Sequence, residues 1–256
     1  MSSVIQKTKA GSAAQTTQRG IIIRSLDPDE IVGQLSAAEL NDVYYVQLLS
    51  PAIQTDRIDK ISRWQNEVPI DINLSDPKTQ FPLLYNFSKL SGRHPIRATV
   101  SAKPGLFNAV KLALALNFAV KLDIDEPGAE AVQEMAEVVE LYLHQSMVSQ
   151  PVEFFHSIFL AFYKNEQADL WSIQEDDPHL FRIVGDDGVE ISVRIEQADR
   201  KECAACEFQD VCKGYFKRSH GDYDCDGLKL IFGTLRAAAS ELKENVAASS
   251  AAAGGR

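Results

Sequence analysis

The chain alternates short apolar runs with segments whose apolar residues recur at helical spacing. Runs at 20–24, 43–49, 70–74, 96–101 and 120–124 are rich in Ile, Val or Leu, and each closes on a turn signal. Such runs read as strands, because β-branched side chains fit a pleated, half-buried surface. Between them, Ile58, Ile61 and Trp64 line one face of segment 53–67, with Arg57 and Lys60 off the stripe. Leu106, Val110, Ala113 and Leu114 do the same in 106–117. Recurrence every three or four residues predicts helices. Gly92 and Gly105 stand at junctions where a helix must stop or start. Strands alternating with helices predict βαβ units, right-handed crossovers and a parallel sheet. About four such units fit before the pattern changes, whereas a complete eight-fold barrel takes ~250 residues by itself. The expectation is an α/β fold with an open, partial barrel-like parallel sheet.

From Pro127 onward the pattern is mainly helical. Segment 130–145 carries Val132, Met135, Val139, Tyr142 and Leu143 on one face, and 152–163 is apolar nearly all round, the mark of a buried helix. Runs at 181–184 and 189–195 flank Gly185-Asp186-Asp187-Gly188, which predicts a β-hairpin. A last helix is expected over 228–243, with Leu228, Ile231, Leu235, Ala238 and Leu242 as its packing stripe. Residues 1–19 are rich in Ser, Thr, Gln, Ala and Lys, and 247–256 in Ala, Ser and Gly, so both ends are expected to be disordered tails. This divides the chain into a barrel-like unit at 20–165 and a small C-terminal unit at 166–246.

Composition changes the picture only by exclusion. The chain has 256 residues, 45% apolar and 24% charged, ample for a sizeable core. No apolar stretch approaches the ~20 residues needed to cross a bilayer. The opening residues lack the apolar run of a secretory signal, so the expected location is the cytoplasm, without a membrane partner. A net charge of −10 argues against a nucleic-acid partner, because phosphate binding needs a basic surface.

The candidate chemistry lies in the cysteines. All four fall between Cys203 and Cys225, in the spacing Cys203-x2-Cys206-x5-Cys212-x12-Cys225. A secreted disulfide scaffold spreads its cysteines through a shorter chain, whereas a tight cluster in an intracellular chain reads as metal ligation. Four thiolates suit either a cubane 4Fe–4S cluster or a tetrahedral zinc ion. Zinc ribbons usually show two close pairs, and only Cys203 and Cys206 make one here, which favours the cluster with one zinc ion as the alternative. Lys213, Lys217 and Arg218 lie between the cysteines, where they are expected to lower the thiolate pKa values. Tyr215 and Phe216 are placed to shield the centre from water, and His220 is a poor fifth candidate beside four cysteines.

The run Cys203-Ala-Ala-Cys206-Glu-Phe-Gln-Asp-Val-Cys212-Lys-Gly-Tyr-Phe resembles part of the SPASM domain, the auxiliary-cluster extension of radical S-adenosylmethionine (radical SAM) peptide maturases. Its C-x2-C-x5-C core is matched by Cys203, Cys206 and Cys212. The family pattern has another cysteine where this chain has Phe216, and Cys225 stands in as the fourth ligand. The chain thus has cysteines for one auxiliary cluster, where a full SPASM domain holds two. Residues 69–75, 94–123 and 150–155 are loosely similar to pieces of a radical SAM partial barrel.

No cysteine precedes Cys203, so the C-x3-C-x2-C motif that holds the SAM-cleaving cluster in that family is missing. The resemblance and this gap together imply an accessory role. The expectation is a cluster-bearing partner, in a heterodimer with a radical SAM maturase that modifies a precursor peptide; the alternatives are a binding module built on structural zinc and an enzyme that uses the single cluster directly. Catalytic residues are not assigned. Elsewhere there is no Gly-x-Gly-x-x-Gly, Walker loop, His-Glu-x-x-His or Gly-x-Ser-x-Gly. Asp71 and Asn73, and Asp123 and Asp125, read as strand-end and turn residues. Glu153 and His156, three apart on an apolar helix, read as a satisfied buried pair.

Overall fold

A computed structural model describes residues 19–27, 32, 41–52, 55–64, 67–145, 149–185, 187–191 and 201–253. Strands β1 (Gly20–Ser25), β2 (Val43–Leu48), β3 (Ile70–Leu74), β4 (Ile96–Ser101) and β5 (Ala119–Asp123) pair in sequence order, all parallel. Two more strands, β6 (Phe181–Val184) and β7 (Glu190–Ile191), extend the sheet at its other edge. β6 lies parallel beside β1, and β7 returns antiparallel to give the order β5-β4-β3-β2-β1-β6-β7. The five strands read from apolar runs are thus present within a residue of their expected ends. The hairpin is present too, though residues 186 and 192–195 of it lie outside the described residues, as do residues 1–18.

The helices among the described residues are α1 (Thr55–Ile61), α2 (Pro77–Gln80), α3 (Leu106–Ala115), α4 (Ala129–His144), α5 (Glu153–Lys164), α6 (Leu170–Ile173), α7 (Lys201–Ala204), α8 (Gln209–Cys212) and α9 (Asp226–Ala253). A 3-10 segment, Phe81–Leu90, continues α2. α9 extends to Ala253, past residue 247 where a disordered tail was expected. Seven of the residues from Val246 to Ala253 are Ala or Ser, and alanine has the highest intrinsic helix propensity.

Side-chain alternation splits the sheet into two unlike faces. Ile23, Val46, Ile70, Ile72, Leu74, Ala98, Val100, Val120 and Leu122 point into the main core, against Leu84 and Phe87 of the 3-10 segment and Leu106, Ala109, Val110 and Ala113 of α3. The other face carries Tyr45, Gln47, Asp71, Arg97, Thr99 and Lys121, yet it too is buried. What covers it comes from the second half of the chain. The segment from α6 to β6 runs over this face toward the β1 edge, because Gln174 and Glu175 contact Lys121 on β5 while Phe181 pairs with Gly20 on β1. α9 packs along α5 and α4, and its Leu228, Ile231, Phe232 and Leu235 belong to the same core as the sheet.

Candidate metal centre

Each cysteine is positioned by short, well-anchored local structure. Cys203 sits in α7, and the N–H of Cys206 returns to its carbonyl at 3.1 Å, so the close pair shares one turn. Cys212 ends α8. After it the backbone turns left-handed at Lys213 (φ 49°) and Gly214 (φ 77°) before the 3-10 turn Tyr215–Lys217. This turn keeps the amides of Gly214, Tyr215 and Phe216 close to the Cys212 sulfur, where they favour its charged form. Successive amides of this kind form a nest that favours a negative atom. Cys225 immediately precedes α9, whose start is held by the Asp226 N–H donating to Asp224 Oδ1 at 2.9 Å. Beneath the loop Phe208, Val211, Tyr215 and Phe216 are buried, with Phe208 and Phe216 against Phe232 of α9 and Tyr215 edge-on to Trp171.

All four cysteines are unpaired by disulfides and line one cavity of about 640 Å³. Its apolar wall is Phe208, Phe216, Leu228 and Phe232, and Lys217 and Lys229 also line it. Gly214 is part of the wall: a β-carbon there would lie 3.6 Å from Cys203 Sγ. Among the described residues, no three His, Cys, Asp or Glu side chains are placed as they would be around a single metal ion. The sulfurs share a chamber without converging on a point.

The basic residues behave differently from the expectation. Lys213 pairs with Asp169 at 2.9 Å, Lys217 with Glu202 at 2.9 Å, and Arg218 with Asp125 and Asp176 at 3.3 and 3.2 Å. Burial, followed by the neighbouring Cys212 sulfur, pushes the Cys225 thiol up to about 11 despite Lys217. Burial also raises the Cys212 thiol, although its three amides pull the other way. At Cys212 and Cys225 the expected lowering is therefore outweighed by desolvation. Phe216 lines the chamber as expected. Tyr215 instead lies beneath it and donates its hydroxyl to Asp176 at 2.6 Å, under the guanidinium of Arg218. His220 faces away, bonded through its backbone and ring to Glu126.

A second cluster, which sequence reasoning missed, lies on the polar face of the sheet. Register places Gln47 beside Asp71, Asp71 beside Arg97, and Thr99 beside Lys121. Asp71, read from sequence as a strand-end residue, is fully buried, accepting from Gln47 at 2.7 Å and from Thr99 at 2.7–2.8 Å. Arg97 donates to Asp71 (3.3 Å), Glu153 (3.0 Å) and Glu175 (2.7 and 3.2 Å). Lys121 donates to Glu175 at 2.6 Å, and the Tyr45 hydroxyl donates to the same carboxylate. Glu153 and His156 do not pair with each other: Glu153 turns to Arg97, while His156 meets the Tyr142 hydroxyl at 2.7 Å. They project from α5 toward different layers. The available signal was a lone charge within an apolar strand, Arg97 between Ile96 and Ala98 and Lys121 between Val120 and Leu122.

Asp123 and Asp125 sit at the strand end as expected, with Ser101 and Arg218 as their respective partners. Comparison with known proteins adds no relative: no family model matches the chain, and neither curated proteins nor solved structures yield a significant match.

Proposed function

We propose that this chain is an iron–sulfur protein, holding one 4Fe–4S cluster on Cys203, Cys206, Cys212 and Cys225. In this reading it is the accessory partner of a radical SAM maturase that modifies a precursor peptide. The observation that carries the cluster is the pocket itself: four cysteines around one aromatic-walled chamber, with the Gly214, Tyr215 and Phe216 amides favouring charge on the Cys212 sulfur. Amides near a sulfur favour a thiolate over a thiol, and hydrogen bonds to sulfur are among the levers that set cluster potential. A roomy chamber with separated sulfurs suits a cubane better than one zinc ion, which draws four sulfurs to ~2.3 Å from a single point. The accessory role rests on the resemblance of residues 203–216 to a SPASM domain and on the lack of any earlier cysteine. The unbroken order of β1 to β5, wound in one direction, supports descent from a partial barrel.

The test is anaerobic purification or reconstitution followed by iron, zinc and acid-labile sulfide assays. The expected result is a brown protein with about four irons and four sulfides per chain, lost in Cys212→Ala. A colourless protein with one zinc and no sulfide overturns the cluster. Turnover of a precursor peptide by a radical SAM maturase, with and without this chain, tests the partnership. An unchanged rate and product overturn it.

A further inference from the structure

We infer that the polar face of the sheet is a binding site for a carboxylate on a short apolar body, which Glu175 occupies as the chain's own stand-in. The inference is independent of the metal centre. It begins with how completely the Glu175 carboxylate is gripped. Arg97 holds it through both terminal nitrogens, one to each oxygen, at 2.7 and 3.2 Å. Lys121 reaches the second oxygen at 2.6 Å, and Tyr45 donates to that same oxygen. A two-pronged arginine with added lysine and hydroxyl donors is the geometry that recognises a planar carboxylate. Both cations are deeply buried, Arg97 8% and Lys121 3% exposed. Arg97 is fixed from behind: it lies on the Tyr45 ring and beside Asp71, which Gln47 and Thr99 hold in turn. The clamp belongs to strands β2, β4 and β5 of the sheet.

The occupant belongs to something else. Glu175 follows the single turn of α6 and lies in the left-handed region (φ 62°), a strained setting for a residue with a side chain. Strain of this kind clusters at ligand clamps and switch segments. A buried ion network is often no more stabilising than well-packed apolar residues of the same volume, so stability alone does not call for this arrangement. The network is also overfilled with acid. Among the described residues, three acids (Asp71, Glu153 and Glu175) meet two cations (Arg97 and Lys121), and removing Glu175 leaves two of each. Among the described residues, the Nε of Arg97 and the Nε2 of Gln174, next to Glu175 in the chain, are buried without a hydrogen-bond partner.

Space for the rest of a ligand lies next to it. A cavity of about 150 Å³ is bounded on one side by Glu175 itself and on others by Pro178, Phe181, Ile183 and Ile191. Phe181 and Ile183 border the same face of the sheet as Tyr45. The acids that also border this cavity have partners: Glu190 pairs with Arg19 and Arg182, Asp176 with Tyr215 and Arg218, and Asp177 accepts from the His179 amide. A ligand of this shape would put its carboxylate in the clamp and a few carbons against Phe181 and Ile183. A branched short-chain acid fits, and so does the apolar C-terminal residue of a peptide.

The probe is isovalerate, with isovaleramide and chloride as controls at matched ionic strength, read by thermal shift and calorimetry. Glu175→Ala vacates the clamp. It is expected to bind isovalerate at least about tenfold more tightly than the wild type, whose tethered carboxylate competes at high effective concentration. Acetate should bind more weakly than isovalerate, and the amide not measurably. Adding Lys121→Met should cost about tenfold again. A peptide ending in free leucine, against its amidated form, separates the two ligand sources. If folded Glu175→Ala responds alike to isovalerate, isovaleramide and chloride, the inference is overturned and Glu175 is a structural plug. Should that variant not fold, hydrogen exchange at residues 173–178 of the wild type decides. Faster exchange with isovalerate than with chloride supports displacement, and identical exchange overturns it.

Discussion

Glu175 shows how one side chain can be pulled by opposing forces. Burial alone would raise its pKa, but Lys121 and Arg97 overcome that and hold it at about 2. A carboxyl depressed in the folded state contributes stability that is fully present above its unfolded pKa, about 4.3, and is lost as pH falls toward the folded value. Glu153, on the same guanidinium, goes the other way: burial raises it, with Arg97 only partly offsetting. Its contribution weakens as pH rises through the carboxylate range. At acid pH the Glu175 effect dominates, since that carboxylate satisfies two cations and a hydroxyl. Urea unfolding from pH 5 down to pH 2 should show a steep loss of stability in the wild type. Glu175→Gln should be less stable at neutral pH and show a clearly shallower acid slope. An unchanged slope would mean that the carboxylate does not carry the acid sensitivity.

At the scale of elements, α3 illustrates how a helix start is built from distant parts. Gly105 precedes it at φ +95°, and a β-carbon there would stand 2.5 Å from the Lys78 Cα. The first turn has no side-chain cap of its own. Instead Glu134 of α4 accepts from the Gly105 and Phe107 amides at 2.8 and 2.7 Å, placing negative charge at the positive end of the helix. Gly105→Ala is therefore expected to destabilise the protein by about 2–4 kcal/mol, combining left-handed strain with a backbone clash. Denaturant midpoints at constant m-value check this. A change below ~0.5 kcal/mol would show that the α2–α3 junction yields freely.

For the whole molecule, the decisive feature is that the cysteine segment shares its core with the sheet. Phe208, Val211, Tyr215 and Phe216 belong to one apolar cluster with Phe154, Phe155 and the sheet-facing residues of β3 to β5. The two tryptophans report on different parts of this body: Trp64 lies against His94, and Trp171 against Tyr215. In the metal-free protein, Trp64→Phe and Trp171→Phe variants are expected to unfold with the same midpoint by fluorescence, coincident with far-ultraviolet circular dichroism. Separated midpoints would show instead that residues 166–246 fold as an independent unit.

What the amino-acid order determined by itself was local. The positions of β1 to β5, β6 and the main helices follow from apolar periodicity, because alternation and helical spacing are properties of neighbouring residues. The gathering of every cysteine into residues 203–225 was equally plain. Partners distant in sequence were not legible. Glu175 meets Lys121 across 54 positions, Arg97 across 78 and Tyr45 across 130. A lone arginine or lysine in an apolar strand says that it must be paired, not with what. Only the tertiary structure laid β6 beside β1, drew the α6 segment over the polar face, and closed an aromatic wall behind the sulfurs. Long-range packing chose those partners, and no short stretch of chain encodes it.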